Sequence, residues 1–281
     1  MQKFGFSLGS GKPNIELEQT PLEKYLSENR NEARSGSDTL RIASFNIQVF
    51  GVAKMKRPEV VNSLIRIIDN FDIVAIQEIR DKSGEGISML MDILGSDWDY
   101  SKSKPIGRSR SKEQYAFIYR VDKVSSSNCQ TWPDPKDLLH REPHICDFIS
   151  SSGFKFTIIN IHTDPDIVDQ EINVLDDVYL DYSDKENLIL LGDFNASPAK
   201  FDELASVKDI QWAIDQGTMT NTRATKNYDN ILYRYTELEE IYKSYVFDMQ
   251  KRLGITFKEA LRVSDHNPVA IELVIPEKKA A

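Results

Sequence analysis

Several apolar runs in the chain end in side chains that can do chemistry. Asn46 closes LRIASFN, Glu78 closes DIVAIQE, His162 closes FKFTIINIH, and Asp193 and Asn195 end NLILLGDFN; Asp265 and His266 stand just ahead of PVAIELVI. A buried strand that runs into a carboxylate or an imidazole loses free energy unless that group is paired, bound to metal or open to a cleft. The recurrence of such endings points to convergence on one cleft. Its donors would be hard oxygens, which suit Mg²⁺, Mn²⁺ or Ca²⁺ far better than zinc, and two imidazoles, which exchange protons near neutral pH. Taken singly, each has a structural explanation. Gln77 and Glu78 could cap a strand or join an ion pair, GDFN could fold an Asx turn, SDHNP could be a turn ahead of a strand, and His162 could be a satisfied core histidine. The combination and order of the segments outweigh these.

The elements that must position these residues follow from hydrophobic periodicity. LRIASFNI reads as a buried strand, RPEVVNSLIRIIDNF as an amphipathic helix opened by Pro58, and DIVAIQEI as a second buried strand. Further strands are expected at QYAFIYR, HICDFIS, FKFTIINIH, NLILLGDF, NILY and PVAIELVI, with one long helix through IVDQEINVLDDVYLDY. Strands outnumber helices and come in both hairpin-like and helix-separated order. The expected class is α/β, two packed sheets flanked by helices. Residues 1–38 read as a polar tail or linker with one short helix around 21–29, residues 39–276 as the folded domain, and residues 277–281 as a disordered tail.

With 281 residues, 40% of them hydrophobic, the chain can bury one large core. A formal net charge of −9 and a pI near 5.1 argue against a protein that grips DNA through a global positive field. Metal-binding carboxylates would contribute to that negative charge. The only cysteines, Cys129 and Cys146, are too few for a disulfide scaffold and are not spaced like zinc ligands, so they pair or stay free. No apolar run is long enough for an export signal or a bilayer span, and the compartment is left open.

The segments FNIQVFG (45–51), AIQEIRD (75–81), GRSRSKEQY (107–115), REP (141–143), NIHTDP (160–165), LLGDFNAS (190–197), NYDNIL (227–232) and VSDHNPV (263–269) together resemble the endonuclease/exonuclease/phosphatase superfamily. Within it, KEQY, REP and QEIRD look most like the deoxyribonuclease I branch. That resemblance implies a four-layer sandwich of two mainly antiparallel mixed sheets between helices. It implies a divalent-metal-dependent endonuclease whose substrate is double-stranded DNA, acting as a monomer without a membrane and leaving 5′-phosphate and 3′-hydroxyl ends. Glu78 with Asn46 and Asp265 would hold the principal metal, Mg²⁺ or Mn²⁺, with Ca²⁺ structural or co-activating. Asp193 and Asn195 would form a second metal or phosphate-orienting pair. His162 and His266 would be the catalytic histidines, held by Glu113 and Asp229. Arg80 and Arg141 would contact phosphates, and Arg108 and Arg110 would enter or straddle a minor groove.

The chemistry accounts for these residue types. A phosphodiester is already anionic, so hydrolysis needs positive charge against the nonbridging oxygens. The water must lose a proton and the leaving oxygen must gain one, and two imidazoles can do both, at roughly 10²–10⁴-fold each. Other substrates, a lipid or inositol phosphate, and an inactive binding or toxin subunit are the alternatives. The match also has gaps. Ser111 stands where the family inserts a tyrosine, Pro198 and Lys226 where it has a disulfide, and Ser197 and Ala224 where calcium loops carry oxygen ligands. Cys129 and Cys146 lie near another family disulfide without its short spacing.

Overall fold

A computed structural model of the chain describes residues 39–108, 110, 112–234 and 241–275. The tails expected at either end, and Ser111, lie outside the described residues. The strands are β1 (Thr39–Phe50), β2 (Ile73–Ile79), β3 (Trp98–Lys102), β4 (Gln114–Arg120), β5 (Val124–Thr131), β6 (His144–Ser150), β7 (Lys155–His162), β8 (Leu188–Asp193), β9 (Ile210–Trp212), β10 (Asp229–Arg234), β11 (Ile241–Val246) and β12 (Val269–Val274). They form two six-stranded sheets, ordered β11-β12-β1-β2-β4-β3 and β5-β6-β7-β8-β10-β9. Each sheet has one parallel pair at its centre, β1 with β2 and β7 with β8, and antiparallel pairs elsewhere. A parallel pair needs a crossover, and helices supply it: Pro58–Ile68 after β1, and Val168–Ile172 with Leu175–Asp181 after β7.

Side chains alternate between the faces of a strand, and this alternation builds four layers. Leu40, Ile42, Ile73, Ala75 and Phe117 of the first sheet meet Phe148, Phe156, Ile158, Ile189, Leu191 and Ile231 of the second. On the outer face of the second sheet, Ile159, Ile161, Leu188 and Leu190 pack against Ile172, Leu175, Val178 and Tyr179 of the crossover helices. The inner face changes character along the strands. Leu40 and Ile42 give way to Ser44 and Asn46, Ile73 and Ala75 to Gln77, Phe156 and Ile158 to Asn160 and His162, Ile189 and Leu191 to Asp193. One end of the space between the sheets is therefore dry and the other polar. Asn160 ties the two sheets together there: its Oδ1 accepts from Gln77 Nε2 at 2.7 Å, and its Nδ2 donates to the Ile76 carbonyl at 3.2 Å.

The long helix expected through residues 167–182 is two short ones, broken at Asn173 and Val174. Both residue types are weak helix formers. Glu171, in the first of them, is committed to tertiary bonds from the His140 and Asp164 N–H groups. The cysteines left open by the sequence are disulfide-bonded, joining β5 to β6. Among the described residues no helix is long and apolar enough to cross a membrane.

His144 offers a test of the inter-sheet packing. It is buried and stacked on Phe117, with Nδ1 3.1 Å from the Gln130 carbonyl and Nε2 3.2 Å from Ser101 Oγ. Burial pushes its pKa down to about 4 from 6.5, against the smaller opposing effect of the Gln130 hydrogen bond. Between those values the unfolded chain binds more protons, so this group costs stability as pH falls from 6.5 toward 4, by roughly 3 kcal/mol in all. Urea melts at pH 7, 5.5 and 4 should show wild type losing stability relative to His144→Gln over that range. A difference that stays constant with pH would refute the assignment.

Candidate active site

The polar end of the sandwich gathers the C-terminal ends of β1, β2, β7 and β8, where open and packed sheets place their sites. Asn46 does not end its strand, as the sequence suggested; β1 runs on to Phe50. The pairing with β2 stops at Asn46↔Gln77 and resumes at Phe50↔Ile79, so residues 47–49 face Glu78 alone. Val49 and Glu78 both take left-handed conformations in this bulge, with φ of 52° and 60°. Strict alternation would put Glu78 on the face opposite Gln77; the bulge re-aims it. Its Oε1 then accepts from Asn46 Nδ2 at 3.2 Å and its Oε2 from the Val49 N–H at 3.0 Å.

Asp193 is the hub. Its Oδ2 lies 2.9 Å from Asn46 Nδ2 and 3.6 Å from Nε2 of both His162 and His266. Its Oδ1 accepts from the Asn195 N–H at 2.9 Å. The parallel register His162↔Asp193 sets one of these contacts. The loop before β12 sets the other. Ser264 Oγ donates to the Asn46 carbonyl at 2.6 Å and accepts from the His266 N–H at 3.1 Å, while the Thr222 N–H donates to the Asp265 carbonyl at 2.7 Å.

Each ring is backed by a carboxylate on its far nitrogen. His162 Nδ1 is 2.9 Å from Glu113 Oε2, and His266 Nδ1 is 2.9 Å from Asp229 Oδ2, which also accepts from Thr220 Oγ1 at 2.7 Å. Burial raises the Glu113 pKa, but His162, Arg141 and Arg80 outweigh it and hold the carboxyl at about 2. For His266, burial opposes the charged form; the charges of Asp229, Asp193 and Asp265 overcome it and push the pKa well above the ordinary value.

Arg80 and Arg141, expected at phosphates, are both bonded to Glu113, at 2.7 Å and 3.1 Å. Arg141 also donates to the His162 carbonyl at 3.3 Å. Asn195, at φ 47°, donates its side-chain amide to the Thr163 carbonyl at 2.9 Å. Arg108 does not reach the centre; it pairs with Asp137 at 3.1 Å, and Arg110 is exposed on the same loop. Three supporting residues have no role expected from the sequence. Tyr115 accepts the His162 N–H at 2.8 Å, Thr220 braces Asp229, and buried Lys54 donates to the Val263 carbonyl. Burial lowers the Lys54 pKa to about 8 although Asp265 and Glu78 act to raise it.

Two sets of residues offer themselves to a cation. Asp193, Asp229 and His266 have ligand atoms within 4.8 Å of one another. There, however, His266 spends Nδ1 on Asp229 and favours its charged form, which suits a proton-transfer pair better than a ligand. Asn46 Oδ1, on the amide that bonds Glu78, and Asp265 Oδ1, which like Glu78 lies near enough to act on Lys54, are buried oxygens without a hydrogen-bond partner. An all-oxygen set with orphaned acceptors fits a hard divalent ion.

The sandwich and its polar end define a class of enzyme-like architecture in which the site lies between two central parallel pairs. The chain belongs to the Endonuclease/Exonuclease/phosphatase family, whose model matches residues 43–266. It is similar to deoxyribonuclease-1-like 1 of Rattus norvegicus, 36% identical over 255 residues that cover 85% of this chain and 82% of that protein. It is similar also to deoxyribonuclease-1 of Bos taurus, 35% identical over 260 residues, covering 84% and 92%. Among solved structures, an endonuclease/exonuclease/phosphatase family protein from Bacteroides thetaiotaomicron aligns with a TM-score of 0.59 at 16% identity, covering 86% of this chain and 99% of that one. A mannosyl-6-phosphatase of the same species also aligns at 0.59, with 17% identity and 84% and 100% covered. At such identities the likeness speaks for the fold alone.

Proposed function

We propose that the chain is a divalent-metal-dependent endonuclease that hydrolyses phosphodiester bonds of duplex DNA and leaves 5′-phosphate and 3′-hydroxyl ends. One observation carries this reading: Nε2 atoms of two carboxylate-backed histidines flank a single buried oxygen of Asp193, 3.6 Å from each. Rings so placed can serve one phosphorus from two sides, one taking the proton of water and the other supplying the leaving oxygen. Glu113 and Asp229 hold the rings in place and keep the Nδ1 protons where they are. Asn195 and Asp193 orient the phosphate. Glu78, Asn46 and Asp265 would hold Mg²⁺ or Mn²⁺, which when bound supplies positive charge against the anionic diester. The deoxyribonuclease relatives support DNA as the substrate.

The test is supercoiled plasmid, single-stranded DNA, RNA and an abasic duplex compared side by side with Mg²⁺, Mn²⁺ and added Ca²⁺. Nicked circles should appear first on plasmid, stop on chelation, and carry 5′-phosphate ends. Cleavage that persists in excess chelator, or faster turnover of RNA or of an inositol phosphate, would reject the reading.

A further inference from the structure

A third imidazole and carboxylate pair stands at the rim of the site. His140 Nδ1 lies 2.7 Å from Asp164 Oδ2. His140 precedes Arg141, and Asp164 follows His162 by two positions, so the pair adjoins the Glu113, Arg141 and His162 assembly. It is not what fastens these loops. Buried Glu171 does that, with Oε1 accepting from the His140 N–H and Oε2 from the Asp164 N–H. The other oxygen of Asp164 accepts from the Asp166 N–H at 3.0 Å. The carboxylate is thus engaged through both oxygens on a fastened loop and aims the ring.

The opposite edge of the ring faces Gly107, where an added Cβ would lie 3.5 Å from His140 Cδ2 and 3.6 Å from Nε2. Gly107, at φ 105°, opens the cationic loop that carries Arg108, Arg110 and Lys112. No described residue forms a hydrogen bond with His140 Nε2. The ring therefore occupies the seam between the catalytic centre and the cationic loop, one ring nitrogen still uncommitted.

We propose that His140, aimed by Asp164, binds the backbone phosphate next to the scissile one as the strand passes from the centre to the cationic loop. The inference rests on the nuclease reading above. In the complex the ring lies between two anions, Asp164 on Nδ1 and a phosphate oxygen on Nε2; for both nitrogens to donate, the complex must hold both ring protons, which makes both hydrogen bonds charge-assisted. The ligand is any strand with consecutive phosphodiesters, and a compound with only one gains nothing from the contact.

The experiment compares wild type, His140→Ala, His140→Gln and Asp164→Asn on duplex DNA and on bis(p-nitrophenyl) phosphate, which carries one diester and no neighbour. On DNA, KM should rise about 10- to 100-fold in both His140 variants, with kcat within about twofold, as expected for one lost charge-assisted contact. The dependence of log KM on log salt should become shallower by about one phosphate contact. The ratio of DNA to bis(p-nitrophenyl) phosphate activity should fall by the same factor, and Asp164→Asn should move it in the same direction. Equal losses on both substrates would reveal a purely structural pair and overturn the proposal, as would unchanged DNA kinetics in a folded variant. Should wild type cleave the small diester and leave DNA intact, the nuclease reading itself fails, a result distinct from either of these.

Discussion

His162→Ala is expected to lower kcat on plasmid DNA by about 10²–10⁴-fold while leaving the fold in place. The loss should be this large because the ring is the only described group that joins Glu113 to the Asp193 oxygen: Nδ1 meets the first at 2.9 Å and Nε2 lies 3.6 Å from the second. The fold should survive because Glu113 keeps two cations, Arg80 at 2.7 Å and Arg141 at 3.1 Å, and is not left as an unpaired buried charge. Glu113→Gln is the informative companion. With its pKa held at about 2, Glu113 is ionised throughout the working range, so the variant removes a fixed negative charge behind the ring and keeps most of the volume. It should fall between wild type and His162→Ala. Single-turnover rates with circular dichroism melts would check both. A folded His162→Ala enzyme retaining more than about a tenth of wild-type kcat would sink the proton-transfer role.

Gly192→Ala is expected to abolish stable folding. A Cβ at this position would stand 2.0 Å from the Ile161 carbonyl oxygen and 2.8 Å from its carbon, both main-chain atoms that cannot rotate away, and the φ of 151° suits only glycine. Gly192 pairs with Ile161 in the parallel β7/β8 ladder, one step from His162↔Asp193. Relief of the clash would part these strands and, with them, a histidine and the hub carboxylate. A cost above about 4 kcal/mol is expected, a large share of the stability of an ordinary domain. Gly217→Ala is the control, since nothing lies within 4 Å of its Cβ and its effect should stay within about 1 kcal/mol. Urea titrations decide: a Gly192→Ala protein that melts like wild type would mean the strands are not held at this spacing.

The sequence displays the middle of each sheet and hides its margins. QYAFIYR and HICDFIS coincide with β4 and β6, because strands covered on both faces must be apolar at nearly every position. The four strands without a sequence expectation, β3, β5, β9 and β11, are the four sheet edges. VSSSNCQT of β5 is mostly exposed, and nothing in its composition separates it from a loop. The helices Glu85–Leu94, Met249–Leu253 and Phe257–Val263 were likewise not anticipated. For the site, alternation was the readable signal. Asn46, His162 and Asp193 continue the inward series of their strands, but Glu78 does not, and only the bulge brings it round. Long-range partners such as Thr220 under Asp229, or Asp164 beside His140, depend on loop geometry that residue types do not encode. The arginines show the same limit, for their type points to an anion without saying that Arg80 and Arg141 share Glu113, or that Arg80 also lies 3.4 Å from Glu78.

That shared carboxylate makes the aim of one ring depend on how two arginines are engaged. Three side chains converge on Glu113: His162, Arg80 and Arg141. On the nuclease reading, a strand whose phosphate draws either guanidinium away would leave Glu113 with fewer partners, and the carboxylate would bear more fully on the Nδ1 edge of His162. Engagement of a substrate and orientation of the ring would in that way be coupled through a single side chain.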